Sequence, residues 1–204
     1  MTLKLHHLNA SRSQRIVWLL EELGVKHELV HHSRDPETNL APPALLNIHP
    51  MGKSPLLEHD NIVIAETGAI SEYLLAKFDP DHKLHPKPES PDFPRFLEWL
   101  HATEGAVFLP GLMGFYLFRS QLQDHPLAAA MAAERDKAMQ VIERHLSAHP
   151  YFAGEQFSAA DCLMGFQLVS AELQGQLKQL PAAAAWLAKV RARPAYQRML
   201  QAGI

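Results

Sequence analysis

Two short segments of the sequence carry residues that could bind a small charged peptide. The segment Gly52–Leu57 has Pro55 at the start of an apolar strand, and Glu66-Thr67 begins eleven residues after that proline. Proline lacks the N–H that a β-ladder needs, so a strand that starts with it is an edge or leaves backbone open to a ligand. The acidic residue and the hydroxyl could then bind the ligand's charged end. The simpler interpretation, in which Pro55 marks a strand start and Thr67 caps a helix, is compatible with that function.

Ser11 and Ser13 lie where a first strand gives way to a first helix, in the segment Asn9–Arg15. A helix N-terminus offers free N–H donors and the positive end of the helix dipole, so it favours an anion. Either serine can cap the helix, or one hydroxyl can donate to a bound thiolate. A free thiol with a pKa near 8.5 is only about 3% ionised at pH 7. If the pKa of the thiol falls by ~2 units, which corresponds to ~2.7 kcal/mol, the group is mostly thiolate at pH 7. A serine hydroxyl together with the N–H groups of a helix N-terminus could lower the pKa by that amount.

The first part of the chain alternates strand and helix signals, and these elements must position the candidate residues. Period-two alternation predicts strands, spacing of three and four predicts helices, and Gly24 is placed to end the first helix. The predicted strands are Leu3–His6, Lys26–His32, Leu56-Leu57 and Ile62–Ile64, and the predicted helices run from Ile16 to Leu23 and onward from Thr67. The order β-α-β, an irregular segment, then β-β-α predicts a mixed sheet covered by helices.

The second part of the chain has helical periodicity throughout. A proline-rich segment, Asp79–Pro91, holds four of the chain's 15 prolines and separates the two parts. We expect a break or kink at Pro110-Gly111, and Ser158 followed three residues later by Asp161 resembles a capping box. The sequence therefore predicts an α/β domain at 1–79, a linker at 80–91 and an all-α helical bundle at 92–204.

Composition narrows the possible functions. The chain has 204 residues, a formal net charge of -3 and 47% hydrophobic residues. This charge gives no electrostatic case for binding nucleic acid or an anionic membrane. No apolar run has the length of a bilayer span, and we expect no secretory signal. The single cysteine, Cys162, excludes an internal disulfide and fits the reducing cytoplasm, and we expect its side chain to be buried.

Thirteen histidines raise the question of a metal site. The adjacent pairs His6-His7 and His31-His32 lie on predicted strands, where neighbouring side chains point to opposite faces. Each pair is therefore a poor start for a coordination sphere. We predict no metal.

On these residues the chain resembles the cytosolic glutathione S-transferases over nearly its whole length. It is most similar to a serine-type bacterial and fungal branch, whose pattern Ser-Arg-Ser-x-Arg-x-x-Trp-Leu-Leu-Glu-Glu-Leu-Gly occurs as Ser11–Gly24. The resemblance implies the glutathione S-transferase fold: a thioredoxin-like, glutathione-binding domain at 1–79, and an all-α domain at 92–204 that contributes the electrophile pocket. It also implies a homodimer, in which the first domain of one subunit faces the helices of the other.

The resemblance assigns the peptide site to glutathione. It implies that the peptide bond before Pro55 is cis and that the Ser54 backbone pairs with the cysteinyl part of glutathione. Glu66 and Thr67 match an acidic–hydroxyl pair that holds the γ-glutamyl amino and carboxylate groups. Lys53 is the natural cation for the glycyl carboxylate.

The resemblance also indicates the catalytic serine and the region of the second pocket. Ser11 occupies the serine position four residues before Arg15, and Ser13 is its competitor for contact with the thiol. The candidates for the electrophile pocket are Phe108, just before Pro110-Gly111, and Met113 and Tyr116 after it. Core packing is the alternative explanation for these three side chains.

The expected function is a glutathione transferase that activates the glutathione thiol and conjugates it to apolar electrophiles, a detoxification reaction, with glutathione peroxidase activity as a second use of the same thiolate. No tyrosine precedes Tyr73 and the first domain has no cysteine, which excludes the tyrosine-activated classes and argues against thiol–disulfide exchange. The alternatives are a non-catalytic binding or regulatory protein of this fold, and a glutathione-dependent isomerase or dehalogenase.

Overall fold

The computed structural model describes residues 3–203. The chain forms two compact units, one made of Met1–His85 together with Val190–Ile204 and the other of Pro86–Lys189. We call these the first and the second unit. Among the helices within residues 3–203, none combines the length and the apolar character needed to cross a bilayer.

The first unit contains a four-stranded mixed sheet. In chain order its elements are β1 (Leu3–Leu8), α1 (Ser13–Leu23), β2 (Glu28–His32), a 3-10 helix (Pro43–Asn47), β3 (Leu56–His59), β4 (Ile62–Ala65) and α2 (Thr67–Phe78). The strand order is β2-β1-β3-β4, with β1 and β2 parallel and the other neighbours antiparallel. The predicted mixed sheet and its thioredoxin-like order of elements are confirmed.

Helix α1 owes its position to the apolar run Ile16–Leu20. Ile16, Val17, Leu19 and Leu20 are fully buried, and each such side chain stabilises the fold by roughly 1.5–3 kcal/mol. The helix ends as predicted at Gly24, which has a left-handed backbone (φ 64°) that favours glycine. The apolar side chains of α1 thus fix the helix that carries the two candidate serines at its N-terminal end.

The C-terminal segment belongs to the first unit. Helix α8 (Pro194–Gln201) packs on α1, where the rings of Trp18 and Tyr196 meet edge to face at 4.9 Å between centroids. The guanidinium of Arg193 donates two hydrogen bonds, of 2.6 and 2.7 Å, to the two carboxylate oxygens of Glu22. The Trp18 indole N–H donates to the same carboxylate at 2.9 Å.

This grouping differs from the sequence-based division, which placed 92–204 in one helical domain. Arg193 and Glu22 are 171 residues apart in the sequence. Hydrophobic periodicity is a local signal and cannot predict a contact between residues so far apart. The boundaries 1–79, 80–91 and 92–204 stay a prediction.

The second unit is helical throughout, as predicted. Its elements are α3 (Phe93–Ala102), a π-helical segment (Thr103–Phe108), α4 (Leu109–Arg119), α5 (Pro126–Ala148), α6 (Ala159–Leu173), a 3-10 helix (Gln176–Gln179) and α7 (Pro181–Arg191). The last two residues of α7 lie beyond Lys189, where the second unit ends. The irregularity expected at Pro110-Gly111 lies just before it, in the π-helical segment. Pro110 lies just after that segment, in the first turn of α4, and its missing N–H interrupts the helical hydrogen bonding there.

Asp161 organises the start of the central helix α6. Its carboxylate accepts four hydrogen bonds: from the Phe152 and Ser158 N–H groups, the Ser158 hydroxyl and the Trp186 indole, at 2.9 to 3.1 Å. The predicted capping box is therefore confirmed. Burial raises the pKa of Asp161 to about 6, and the hydrogen bonds oppose that rise. Cys162, the next residue, is buried as expected.

Candidate functional site

The register of the sheet brings the candidate segments to one end of it. Leu56, the first residue of β3, pairs with His6 of β1 on one side and with Ala65, the last residue of β4, on the other. The residue before Leu56 is Pro55, and the residue after Ala65 is Glu66. The turn into β3 and the turn out of β4 therefore lie side by side, and β1 leads past both of them into α1.

The Ser54–Pro55 peptide bond is cis, as the family resemblance implied. Both residues are buried, and the Ser54 hydroxyl donates to the His6 carbonyl oxygen at 2.9 Å. That bond ties the turn to β1. Lys53, next to the turn, is exposed, so its ammonium group is available to a ligand.

Glu66 and Thr67 lie at the N-terminus of α2. Glu66 occupies the N-cap position with φ 74° and ψ 124°, a backbone conformation that residues other than glycine rarely adopt and that often marks functional sites. Its side chain is exposed, whereas Thr67 is buried as the first helical residue. The expectation that Thr67 caps the helix is wrong, because the N-cap position belongs to Glu66. The first turn of α2 presents backbone N–H groups and positive dipole charge beside this carboxylate.

Ser11 and Ser13 differ in what their hydroxyls do. Ser13 is fully buried, and its Oγ accepts from the Leu8 N–H at 3.2 Å and hydrogen-bonds with His7 Nδ1 at 2.8 Å. Ser11 is half-buried, and its Oγ accepts from the Ser13 N–H at 3.3 Å and lies 2.8 Å from Ser13 Oγ. Neither serine is the helix cap that the sequence allowed, because Arg12 occupies the N-cap position. Ser13 therefore has a hydroxyl committed to the protein interior, whereas Ser11 is only half-buried.

His7 is a residue of this site that the sequence analysis missed. Its ring is 1% exposed, and burial, assisted by the positive charge that His31 and His32 can carry, lowers its pKa to about 4. His7 is therefore neutral at pH 7. The available signal was its position six residues before Ser13, across a tight strand-to-helix connection that folds α1 back onto the end of β1.

The other histidines of β1 and β2 pair with each other or with one carboxylate. His6 hydrogen-bonds to His32 at 2.9 Å and to Glu58 at 2.5 Å, and the rings of His7 and His31 meet edge to face at 5.5 Å. Within residues 3–203, no three histidine, cysteine or carboxylate side chains are placed to hold a metal ion.

The three candidates for the electrophile pocket lie in the second unit. Phe108 ends the π-helical segment, and Met113 and Tyr116 share one face of α4 because they are three residues apart. Phe108 is half-buried with its ring 6.4 Å from that of Phe166, and Tyr116 is 40% exposed. A cavity of about 420 Å³ opens nearby, but it is lined by other residues, among them Pro110, Gly111, Gly114, Phe115, Phe118 and Met131.

Comparison with known proteins agrees with this architecture. The family models described as "Glutathione S-transferase, N-terminal domain" and "Glutathione S-transferase, C-terminal domain" match residues 1–76 and 106–194. Glutathione S-transferase 3 of Schizosaccharomyces pombe is 33% identical over 94% of this chain and 84% of its own length. A crystal structure of a glutathione S-transferase from Actinobacillus pleuropneumoniae has a TM-score of 0.90 at 29% identity, covering 98% of this chain and 92% of its own.

A further solved structure, of a sphingomonad glutathione S-transferase complexed with glutathione, has a TM-score of 0.80 at 25% identity and covers 98% of both chains. The four-stranded mixed sheet, the helical second unit and these matches lead to one assignment. The chain belongs to the glutathione S-transferase family of enzymes.

Proposed function

We propose that the protein binds glutathione at this end of the sheet, holds its thiol as a thiolate and transfers the sulfur to apolar electrophiles. The observation that carries the proposal is the convergence of the cis Ser54–Pro55 turn, the N-terminus of α2 and the half-exposed hydroxyl of Ser11 at adjacent strand ends. The sphingomonad relative, whose structure contains glutathione, adds support.

The polar groups at this end of the sheet match those of glutathione. The backbone of Ser54 pairs with the cysteinyl residue, since the proline beside it leaves this stretch outside the ladder. Glu66 binds the γ-glutamyl ammonium group, while Thr67 and the first turn of α2 bind the γ-glutamyl carboxylate. Lys53 binds the glycyl carboxylate in a charge-assisted contact.

Ser11 is the proposed catalytic residue, because its hydroxyl is within reach of a ligand and that of Ser13 is buried. The Ser11 hydroxyl donates to the glutathione sulfur and so favours the thiolate, and the thiol proton passes to water. The thiolate forms a bond to an electrophilic carbon, and the bond from that carbon to the leaving group breaks with its electron pair. With a peroxide as the electrophile, the same thiolate attacks one oxygen, and the O–O bond breaks with its electron pair to leave an alkoxide or hydroxide, which water protonates. The glutathione sulfenic acid so formed condenses with a second glutathione to give the disulfide and water.

The rest of the assignment concerns the second substrate and the assembly. We propose that the apolar electrophile contacts Phe108, Met113 and Tyr116. We also propose that the protein belongs to the serine-type branch and acts in the cytoplasm as a homodimer. The test for the electrophile contacts is substitution of Tyr116 by alanine, which should raise the KM for an aryl halide and leave the KM for glutathione unchanged.

The experiment that tests the proposal measures retention on immobilised glutathione and conjugation of a generic aryl halide. The wild type should be retained and active, whereas Ser11→Ala should be retained but lose about ten- to thirty-fold in rate near neutral pH, the ratio of thiolate populations for a pKa difference of ~2 units. Retention without turnover in the wild type would favour a non-catalytic binding protein. Full activity in Ser11→Ala would move the thiol contact to Ser13 or to the backbone.

A further inference from the structure

A chain of three hydrogen-bonding groups runs from the interior of the first unit to the candidate site. His7 Nδ1 lies 2.8 Å from Ser13 Oγ, and Ser13 Oγ lies 2.8 Å from Ser11 Oγ. The two inner members, His7 and Ser13, are buried, and the outer member is half-buried. The direction in which the protons point along this chain decides whether Ser11 can donate to a ligand.

Only two arrangements of the hydrogens satisfy both short contacts. A hydroxyl has one proton and two lone pairs, and the Leu8 N–H already occupies one lone pair of Ser13. The Leu8 carbonyl oxygen, 3.4 Å from Ser13 Oγ, can also accept the Ser13 proton, but a proton turned there leaves one of the two 2.8 Å contacts without a hydrogen. In the outward arrangement His7 Nδ1–H donates to Ser13, and Ser13 donates to Ser11. Ser11 then accepts from both the hydroxyl and the N–H of Ser13, so its own proton points to the site.

In the inward arrangement every proton points the other way. Ser11 donates to Ser13, Ser13 donates to His7 Nδ1, and the single ring proton of the neutral imidazole moves to Nε2. The proton of Ser11 is then used inside the protein. In this state Ser11 can only accept a hydrogen bond, so it would favour the thiol of a ligand over the thiolate.

The surroundings of His7 favour the outward arrangement. Within the described part of the chain, His7 Nε2 is buried and has no hydrogen-bond partner. The inward arrangement would leave an N–H donor unpaired there, whereas the outward arrangement leaves only a lone pair. Buried donors without partners are the rarer and more costly case. Because the pKa of His7 is lowered to about 4, the ring carries only one proton at pH 7, and the choice between tautomers is real.

We propose that His7 is a positioning residue for the thiolate: as the Nδ1–H tautomer it donates to Ser13, and this orders the Ser11 hydroxyl to donate outward to the glutathione sulfur. This inference deepens the proposed function and rests on it, since it presupposes that Ser11 contacts the thiol. His7 touches no substrate. Its effect is to remove the competing orientation of the Ser11 proton.

The test measures the pKa of the bound glutathione thiol, from thiolate absorbance as a function of pH, in the wild type and in His7→Phe. His7→Phe lacks the hydrogen bond from His7 to Ser13 that orients the Ser11 hydroxyl, so the pKa of the glutathione thiol should rise by about 0.7 units. At pH values below this pKa the thiolate population should therefore fall about five-fold. His7→Asn, whose amide can donate from nearly the Nδ1 position, should stay near the wild-type value. If His7→Phe does not fold, His7→Gln takes its place: its amide lies near the Nε2 position and not the Nδ1 position, so it gives Ser13 no donor and should show the same shift.

Two controls separate positioning from general disturbance of the fold. The affinity for S-methylglutathione, which has no thiol to ionise, should be the same in the wild type and His7→Phe. His31→Phe removes the neighbouring imidazole that meets His7 edge to face, and the thiol pKa should not change. Weaker binding of S-methylglutathione in step with the pKa shift would overturn the proposal, because it would show that His7 acts by shaping the site.

The double variant Ser11→Ala/His7→Phe makes the two proposals separable. If His7 acts through Ser11, the double variant should have the thiol pKa of Ser11→Ala alone. An additional shift in the double variant, or no shift in His7→Phe while Ser11→Ala shifts strongly, would overturn the role of His7 and leave the proposed function standing. No shift in Ser11→Ala itself would instead refute the role of Ser11 in the proposed function.

Discussion

Removing the buried imidazole of His7 should change how the stability of the protein depends on pH. The pKa of this ring is lowered from 6.5 to about 4 in the folded state, chiefly by burial. In the unfolded chain the ring therefore takes up a proton at a higher pH than in the folded protein. Its contribution to stability is fully present above pH ~6.5 and is progressively lost as pH falls toward pH ~4.

The size of this effect follows from the separation of the two pKa values. Each unit of separation is worth about 1.4 kcal/mol, so the complete loss, well below pH ~4, amounts to about 3 kcal/mol. Between about pH 7 and about pH 5 the linkage relation gives a loss of about 2 kcal/mol. A phenylalanine at position 7 cannot take up a proton, so His7→Phe escapes this loss.

Urea unfolding of the wild type and His7→Phe at about pH 7 and about pH 5, at equal protein concentration, provides the measurement. His7→Phe should be the less stable protein at the higher pH, because Ser13 loses a hydrogen bond. The difference in the free energy of unfolding should then move by about 2 kcal/mol in favour of the variant at the lower pH. Other groups, including Asp161, titrate in both proteins and largely cancel. An unchanged difference at the two pH values would refute the reasoning.

Two further predictions concern the anchors of α8 and α6. Arg193→Ala should lower the free energy of unfolding by about 2–3 kcal/mol, because the Glu22 carboxylate, 8% exposed, loses two charge-assisted hydrogen bonds. Arg198→Ala, which breaks a more exposed ion pair, is the matched control and should cost less than about 1 kcal/mol in the same urea titration. Asp161→Asn replaces one acceptor oxygen by an NH₂ group that faces the N–H donors of the cap. The variant should lower the free energy of unfolding by about 2–4 kcal/mol in thermal or urea unfolding. A decrease below about 1 kcal/mol would mean that the capping carboxylate is dispensable.

Much of the fold could be predicted because its signals are local. The strand start at Pro55, the end of α1 at Gly24 and the capping box at Ser158 and Asp161 each depend on the chemistry of a few neighbouring residues. The sequence predicts an irregularity at Pro110-Gly111, but it does not predict the π-helical segment Thr103–Phe108 that precedes this pair, since the π geometry is decided by packing.

The candidate site was predictable in its residue types but not in its hydrogen bonding. Only the family resemblance favours Ser11 over Ser13, because both residues precede or open α1 and both carry a hydroxyl. The structure distinguishes them through burial and through His7, which the sequence analysis weighed only as a possible metal ligand. The spacing of His7 and Ser13 is visible in the sequence, but whether the two side chains touch depends on how the strand-to-helix connection folds back.

The pairing of α8 with α1 has a consequence for the order in which the protein can be made. A ribosome synthesises the chain from its N-terminus, so Val190–Ile204 is translated only after the whole of Pro86–Lys189. Until then Glu22 and Trp18 lack the partners that cover them in the finished first unit. The nascent first unit therefore exposes an unfinished face of α1 while the second unit is being translated, and the helix that carries the serines gains its full support last.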